Sequence, residues 1–541
     1  MKKNYLIFLL ASMVIIFGSN FFTSTDEVPA ENINETVSSN KESEYQVSDN
    51  PIEVSEDMPE LSGTFQNESV KFSTPMFDGK ISKVGGFIYD VRLKKYFAAP
   101  DSYEFTKIMQ AGEFMSKTIV QAKKGQQDIP KEINFNSKVN SYEFSSGIKQ
   151  LNLVAKFGQI TIQKSFIFND DYGIEQQIVV FNNSSKDFVF RVFEESVGEV
   201  DAAEHNVMGY FIDEDMEVVD SAPSETEKII GDFSWYGFSK KYFLTSNILQ
   251  TAGDKTLKYS KSSKDSIRSL LSYKSIKLRP GSRYNTSSIV FLGPKDPSVL
   301  KKYGKNFGEA HDLGWFGWLA SPLEKLLKLS YGVINNYGLA IIFITLLIRI
   351  VFLPLTIKSM MSMKKMQSKM ALMKPRLDAI KEEFKDDKTT QNSEIMKLYS
   401  KEGVNPLSSL SGCLPMLVQI PVFVALYNVL LYSLDLRHSE FLWITDLSSP
   451  EMLFDIPGTG IPFRILPLVM GISWFLTQKL TPPNPGADDF QQKIFQYMPI
   501  MFTVMFWGLP SGLILYWTIS NVISIFQQLY INKKFEKMQG A

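Results

Sequence analysis

The stretch LAIIFITLLIRIVFLP, residues 339–354, decides how the chain is read. Its only charge is Arg349, and Thr345 is the only other polar side chain. A bilayer core needs roughly 20 apolar residues in a helix, and residues 329–348 carry no charge at all. A membrane-spanning helix is therefore expected here, with Pro354 as its break. At about 1.5 Å per residue, Arg349 lies roughly 7 Å from that break. Two readings follow. Arg349 can snorkel to the inner headgroups, or it can face a water-filled cavity, as intramembrane charges usually do. Thr345, one turn earlier on the same face, favours a polar stripe.

Outward from this segment the charges stay unevenly spread. The chain has 541 residues, 57 Lys+Arg, 58 Asp+Glu, three His and one Cys. A net charge of −1 argues against DNA as a partner. One Cys excludes a disulfide framework, and three distant His suggest no local metal motif, so neither metal nor cofactor is expected. Residues 4–25, 403–434 and 494–532 are also free of charge. The last is long enough for two spans, divided at Gly508-Leu-Pro510-Ser-Gly512. Ile465–Gln478 is a shorter candidate flanked by Arg464 and Lys479. The sum is six spans.

The basic start Met1-Lys2-Lys3 precedes the first span, and no clear small-residue cleavage pattern follows it. Residues 1–25 are read as a retained anchor rather than a cleaved signal. The loop 356–405 holds 11 Lys+Arg against 7 Asp+Glu, and the tail 533–541 carries Lys533, Lys534 and Lys537. Both belong on the cytoplasmic side by the positive-inside rule. The N-terminus is then also cytoplasmic, and everything from 23 to about 330 is exported.

Residues 23–60 hold 11 acidic side chains and one Lys, too little apolar material for a core, so 26–60 is read as a disordered linker. From 61 to 310 the pattern becomes β. Leu151, Leu153, Ile160, Ile162, Phe166, Phe168, Ile178, Val180, Phe188, Phe190 and Val192 recur with period two. Asn169–Gly173 and Asn182–Ser185 read as hairpin turns within a large β-sandwich. No nucleophile is grouped with a base, so a structural or docking role is preferred over catalysis. Carboxylates that meet only in the fold leave the enzymatic alternative open. In 311–331, Leu313, Trp315, Trp318, Leu319, Leu323, Leu326 and Leu327 give one apolar helix face. It suits a helix lying in the headgroup layer or one packed on the β region.

After the second span (332–355), the loop 356–405 reads as a helical hairpin, Ile357–Lys385 and Ser393–Lys401, broken around Asp386–Thr390. Met360, Met363, Met366 and Met370 on its first arm suit capture of varied apolar segments, or else pack the hairpin against itself or lipid. Lys358, Lys364, Lys365 and Lys369 can meet anionic lipid headgroups. Spans three to six (406–532) add Gln419, Asn428, Thr503, Tyr516, Trp517, Thr518, Ser520, Asn521 and Ser524. These either line a groove with Arg349 or form ordinary interhelical hydrogen bonds. No Gly-rich phosphate loop is present, which argues against nucleotide use.

The chain resembles the YidC-type membrane protein insertases (the YidC/Oxa/Alb family) in the Gram-negative form with a large periplasmic domain. The resemblance is carried by Phe291-Leu-Gly-Pro294, Ile348-Arg349, Leu353-Pro-Leu-Thr356, Val404-Asn-Pro-Leu407 and Cys413-Leu-Pro-Met-Leu-Val-Gln419-Ile-Pro421. It continues in Phe423-Val-Ala-Leu-Tyr427, Gln496-Tyr-Met-Pro499, Pro510-Ser-Gly-Leu-Ile-Leu-Tyr516 and Ser520-Asn521. Gly85-Gly86, Lys164-Ser-Phe-Ile-Phe168 and the segment from Trp235 to Phe243 match more weakly. The resemblance implies a multi-pass α-helical membrane protein with a five-helix insertase core and a periplasmic β-supersandwich. It implies a hydrophilic groove open to the cytoplasm, with Arg349, Thr345, Gln419 and Tyr516 on groove positions. Thr503, Ser520 and Asn521 join them as candidates, and Trp517 stands where the family often has Tyr. The implied partners are nascent integral membrane proteins and Sec translocon components, with the ribosome and anionic lipids beyond them. The implied place is the inner membrane, and the implied role is insertion and chaperoning rather than enzymatic turnover; the alternatives are a Sec-associated folding helper without autonomous insertion and a lipid or small-molecule transporter.

Overall fold

A computed structural model describes residues 46–47, 68–100, 102–143, 149–402, 414–458, 460, 462–481 and 489–539. The expected N-terminal anchor lies outside the described residues, as does most of the acidic linker. Within that linker a two-residue strand, Gln46–Val47, pairs antiparallel with Ile276 and Lys277, so the segment is not structureless throughout. The chain divides into two compact units at His311/Asp312.

Among its described residues the first unit is built from two β-sheets, with only short helical turns from Pro297 onward. An eight-stranded antiparallel sheet runs in the order Asp215–Val219, Val207–Ile212, Phe233–Ser239, Phe243–Leu249, Arg283–Pro294, Gly173–Asn182, Ile160–Phe168, Lys149–Phe157. A twelve-stranded sheet faces it, with Phe188–Glu199, Phe114–Ala122 and Ile88–Phe97 side by side at its centre. Alternation explains the layers. In Gly173–Asn182 the residues Ile174, Gln176, Ile178 and Val180 are buried while their neighbours are half-exposed. All eleven period-two residues named above are buried.

Asn169–Gly173 does turn a hairpin, pairing Phe168 with Ile174. Asn182–Ser185 does not, and that expectation is corrected: it carries the chain from the eight-stranded to the twelve-stranded sheet. Asn182 makes the crossing affordable. Its buried amide donates to the carbonyls of Lys186 (2.8 Å) and Leu278 (2.9 Å), and its oxygen accepts from Ser184 N (3.1 Å). Backbone groups that lose their sheet partners are thereby satisfied.

Between the sheets lies a polar centre. Lys164 donates to the Ser116 carbonyl, and Glu194 accepts from Gln176 (2.8 Å) and the Tyr273 hydroxyl (2.6 Å). Lys164 and Glu194 are almost wholly buried, and burial pushes the Lys164 ammonium down to about 7, against the pull of Glu194. The Gly85-Gly86 pair has φ of 70° and 62°, and a Cβ on either would strike Lys117 or Lys164 at 2.5 or 2.8 Å. These glycines let the backbone pass over two buried lysines. The Phe291–Pro294 motif begins in an aromatic cluster of Trp235, Phe291, Tyr303 and Phe307.

The second unit is helical: α1 (Gly317–Ile334), α2 (Tyr337–Glu383), α3 (Lys388–Lys401), α4 (Leu414–Tyr432), α5 (Ile465–Leu480), α6 (Asp489–Met505) and α7 (Ser511–Gln539). Asn335, in the left-handed region, ends α1, and Asn336 caps α2 by accepting from Leu339 N (2.9 Å). α1 buries Leu323 and Leu327 against α2 and α4, while Trp318 at its start and Trp315 just before it are exposed. The expected break at Pro354 does not occur. α2 runs through both Pro354 and Pro375: each Pro removes one helical hydrogen bond, a loss that helices of membrane proteins tolerate where neighbouring groups re-satisfy the freed carbonyl. Asp387, accepting from Thr389 N and Thr390 N (both 3.1 Å), starts α3 five residues earlier than expected. Among the described residues only α2 is long and apolar enough to cross a membrane, while Gln419–Tyr432 and Ile465–Leu480 are shorter apolar helices.

Candidate functional site

Three helices bring the central group together. Arg349 on α2 is half-buried, and its Nε is enclosed without a hydrogen-bond partner. Tyr516 on α7 is buried within electrostatic reach of it. Gln419 on α4 donates its amide to the Tyr516 hydroxyl. Among the described residues no carboxylate pairs with Arg349. The arrangement is therefore a cation with spare donors beside a neutral polar pair, at the edge of an apolar wall. That wall is a small pocket lined by Leu327, Ile341, Ile344, Leu426, Leu430 and Tyr516.

Thr345 shares the Arg349 face but is fully buried, and its hydroxyl donates back to Ile341 O at 2.6 Å. Ser520 lies one turn beyond Tyr516, also buried. The same step of four continues to Ser524 and Gln528, and Gln528 is fully buried with an unpartnered carbonyl. Gln528 went unnoticed in the sequence, although the spacing 516, 520, 524, 528 was the signal for it.

Other candidates are spent elsewhere. Trp517 sits in an aromatic cluster with Phe423 (4.7 Å), Trp474 (5.5 Å) and Phe506 (5.2 Å between ring centres). Asn521 donates to Ser473 Oγ at 3.0 Å and so ties α7 to α5. Thr503 donates to Pro499 O (2.7 Å) and packs on Gly471 at the α5–α6 seam. Asn428 donates to Leu313 O at 2.6 Å. In the described contacts none of these four meets Arg349; their own contacts are of the kind that neighbouring helices use in packing.

The hairpin arms close on each other. Met370, Met373 and Leu377 form a buried cluster with Met366, Ile395, Leu398 and Tyr399 packed against it. Of the four expected capture residues, Met366 and Met370 thus serve the hairpin's own packing, while Met360 and Met363 are half-buried. Leu372 and Met396 are the exposed apolar side chains here. Gln391 locks the turn by donating to Lys381 O (2.9 Å), and Arg376 pairs with Glu402 (2.8 Å).

Comparison with known proteins gives one answer over the whole chain. Residues 69–326 match the family described as "YidC periplasmic domain", and residues 329–538 that described as "60Kd inner membrane protein". The "Membrane protein insertase YidC" of Pelobacter propionicus is 34% identical over 98% of this chain and 99% of its own length. That of Syntrophus aciditrophicus is 34% identical over the same shares. Among solved structures, an active YidC insertase crystal structure with the first transmembrane domain resolved aligns over 86% of this chain and 92% of its own, at 18% identity and a TM-score of 0.35. The chain belongs to the YidC family of membrane protein insertases.

Proposed function

We propose that this chain inserts nascent integral membrane proteins into the inner membrane and assists their folding, alone or beside the Sec translocon, without nucleotide hydrolysis. The reading includes six spans, both termini in the cytoplasm and residues 26–310 in the periplasm. The working surface is a groove open to the cytoplasm, built around Arg349, Gln419 and Tyr516, with Thr345 and Ser520 on its walls. The observation that carries it is Arg349: a cation with an enclosed, unpartnered Nε and no ion pair among the described residues. A buried charge without a fixed partner is costly, and a transient polar client offsets that cost.

The client's short polar end enters the groove, where Arg349 and the Gln419–Tyr516 pair replace part of its water. An acidic residue there is drawn to Arg349. The client's apolar segment then moves into lipid, gaining about 0.3–0.6 kcal/mol per Leu- or Ile-like residue. Over about 20 residues that exceeds the cost of transferring one or two polar groups. The membrane potential adds roughly 2.3 kcal/mol per charge per 100 mV and favours outward movement of negative charge. The groove lowers a barrier, and lipid partition supplies the energy.

The test is reconstitution into liposomes with a single-span client, read by protease protection of the exported end. Protection above that of empty vesicles is expected. No gain with any of several clients would sink autonomous insertion and leave a Sec-dependent helper.

A further inference from the structure

The β unit carries a sheet face that its own fold does not explain. Lys71 stands directly opposite Lys80 across one strand pair, and Arg92 directly opposite Lys107 across another. Like charges in facing positions destabilise a sheet. Lys94 joins the same face through Asp78 (2.9 Å), and Asp78 faces Arg92. The carboxylates on this face are Asp78, Asp90 and, on the flanking strand, Glu143 opposite Ser73. Asp90 holds Lys80 at 2.8 Å, Lys107 at 3.2 Å and Arg92 at 4.0 Å, from a left-handed backbone at φ 50°. Five cations against three carboxylates leave the face positive by two, even with a strained Asp set among them.

The face ends in rings. Phe105, two residues before Lys107, lies on the same side, and it stacks on its cross-strand partner Phe97 with ring centres 6.1 Å apart. Phe97 and Phe105 are 43% and 37% exposed, and Tyr103 in the connecting turn is 95% exposed. Cations beside exposed aromatic rings are the composition of a bilayer-interface surface. Spread over four strands about 4.8 Å apart, the cations match an array of phosphates rather than one small anion. A chain with a spanning helix always has a bilayer as a partner.

We propose that this face, on the strands Ser69–Ser73, Phe77–Ser82, Ile88–Phe97 and Phe105–Lys107, docks on an anionic phospholipid surface. Tyr103 and the Phe97–Phe105 pair enter the headgroup layer, and the cations meet lipid phosphates, which relieves the cross-strand repulsion.

The experiment uses the full chain with Cys413→Ser and Tyr103→Cys, the new thiol carrying an environment-sensitive fluorophore. It is reconstituted in phosphatidylcholine alone or mixed with phosphatidylglycerol, each with or without a headgroup-linked nitroxide quencher. A blue shift and quenching are expected in the mixed vesicles, both reversed by high salt. Lys71→Gln with Arg92→Gln should lower the docked-to-free ratio about fivefold per cation removed. The salt arm needs no variant, so misfolding cannot hide the answer. Absence of quenching in mixed vesicles would overturn the proposal, as would equal, salt-insensitive quenching in phosphatidylcholine. A label shielded only when native membrane proteins are supplied would reassign the face to a protein partner.

Discussion

The Gln419–Tyr516 hydrogen bond joins α4 to α7 beside Arg349 and gives a sharp energetic prediction. Tyr516→Phe keeps the buried ring and removes only the hydroxyl. Gln419 then has a half-buried amide without that acceptor. Interhelical hydrogen bonds in membrane proteins average about 0.6 kcal/mol and reach about 1.7, while a stranded buried polar group costs about 1–3 kcal/mol. A loss of about 1 kcal/mol is expected for Tyr516→Phe and a similar loss for Gln419→Leu. The double variant removes both partners, so its loss should also be about 1 kcal/mol, giving a coupling of about 1 kcal/mol. Reversible unfolding in mixed micelles, followed for all four proteins of the cycle, measures this. Strictly additive losses would refute the reasoning, because they would mean the two side chains do not stabilise each other.

Other consequences can be measured separately. In the β unit, Lys164 titrates near 7 when folded against an ordinary 10.5. Between those values the unfolded chain holds a proton that the folded chain has lost, so stability rises with pH, by up to about 1.4 kcal/mol per pH unit. Denaturant unfolding at pH 7, 8 and 9 should show that slope in wild type and not in Lys164→Met; parallel slopes would contradict it. A Cβ on Gly471 would lie 2.1 Å from Thr503 Oγ1, so Gly471→Val should force α5 from α6 at a cost of about 1–3 kcal/mol. Thr503→Ala should recover part of the loss, and no recovery would point to another origin. Met370→Ala should loosen the hairpin by about 2 kcal/mol, seen as faster hydrogen exchange in α3 with the rest of the helical unit unchanged.

The pattern of the sequence reached some of these features and missed others for physical reasons. Period-two alternation found the β core because each inward residue is buried in turn. It could not tell that Asn182–Ser185 changes sheets, since turn chemistry is local and sheet membership is not. Arg349 and Thr345 were placed on one face by helical spacing alone. Pro354 misled because its local cost is real but is outweighed by the long helix around it. Trp517 and Asn521 follow Tyr516 and Ser520 in sequence, yet a step of one turns a helix by about 100°. That rotation puts the Trp517 ring among Phe423, Trp474 and Phe506 rather than beside Arg349. Gln528 was legible through its step of four but was masked by the apolar residues around it.

The account rests most heavily on attraction between Arg349 and the polar end of a client. The direct measurement is insertion by wild type, Arg349→Ala and Arg349→Lys of two clients in proteoliposomes, one with Asp in its exported end and one with Asn there. The account predicts that Arg349→Ala impairs the acidic client more than the neutral one, and that Arg349→Lys retains most of the difference. Equal impairment of both clients, or none of either, would contradict it and reduce Arg349 to a residue that only hydrates or anchors its helix.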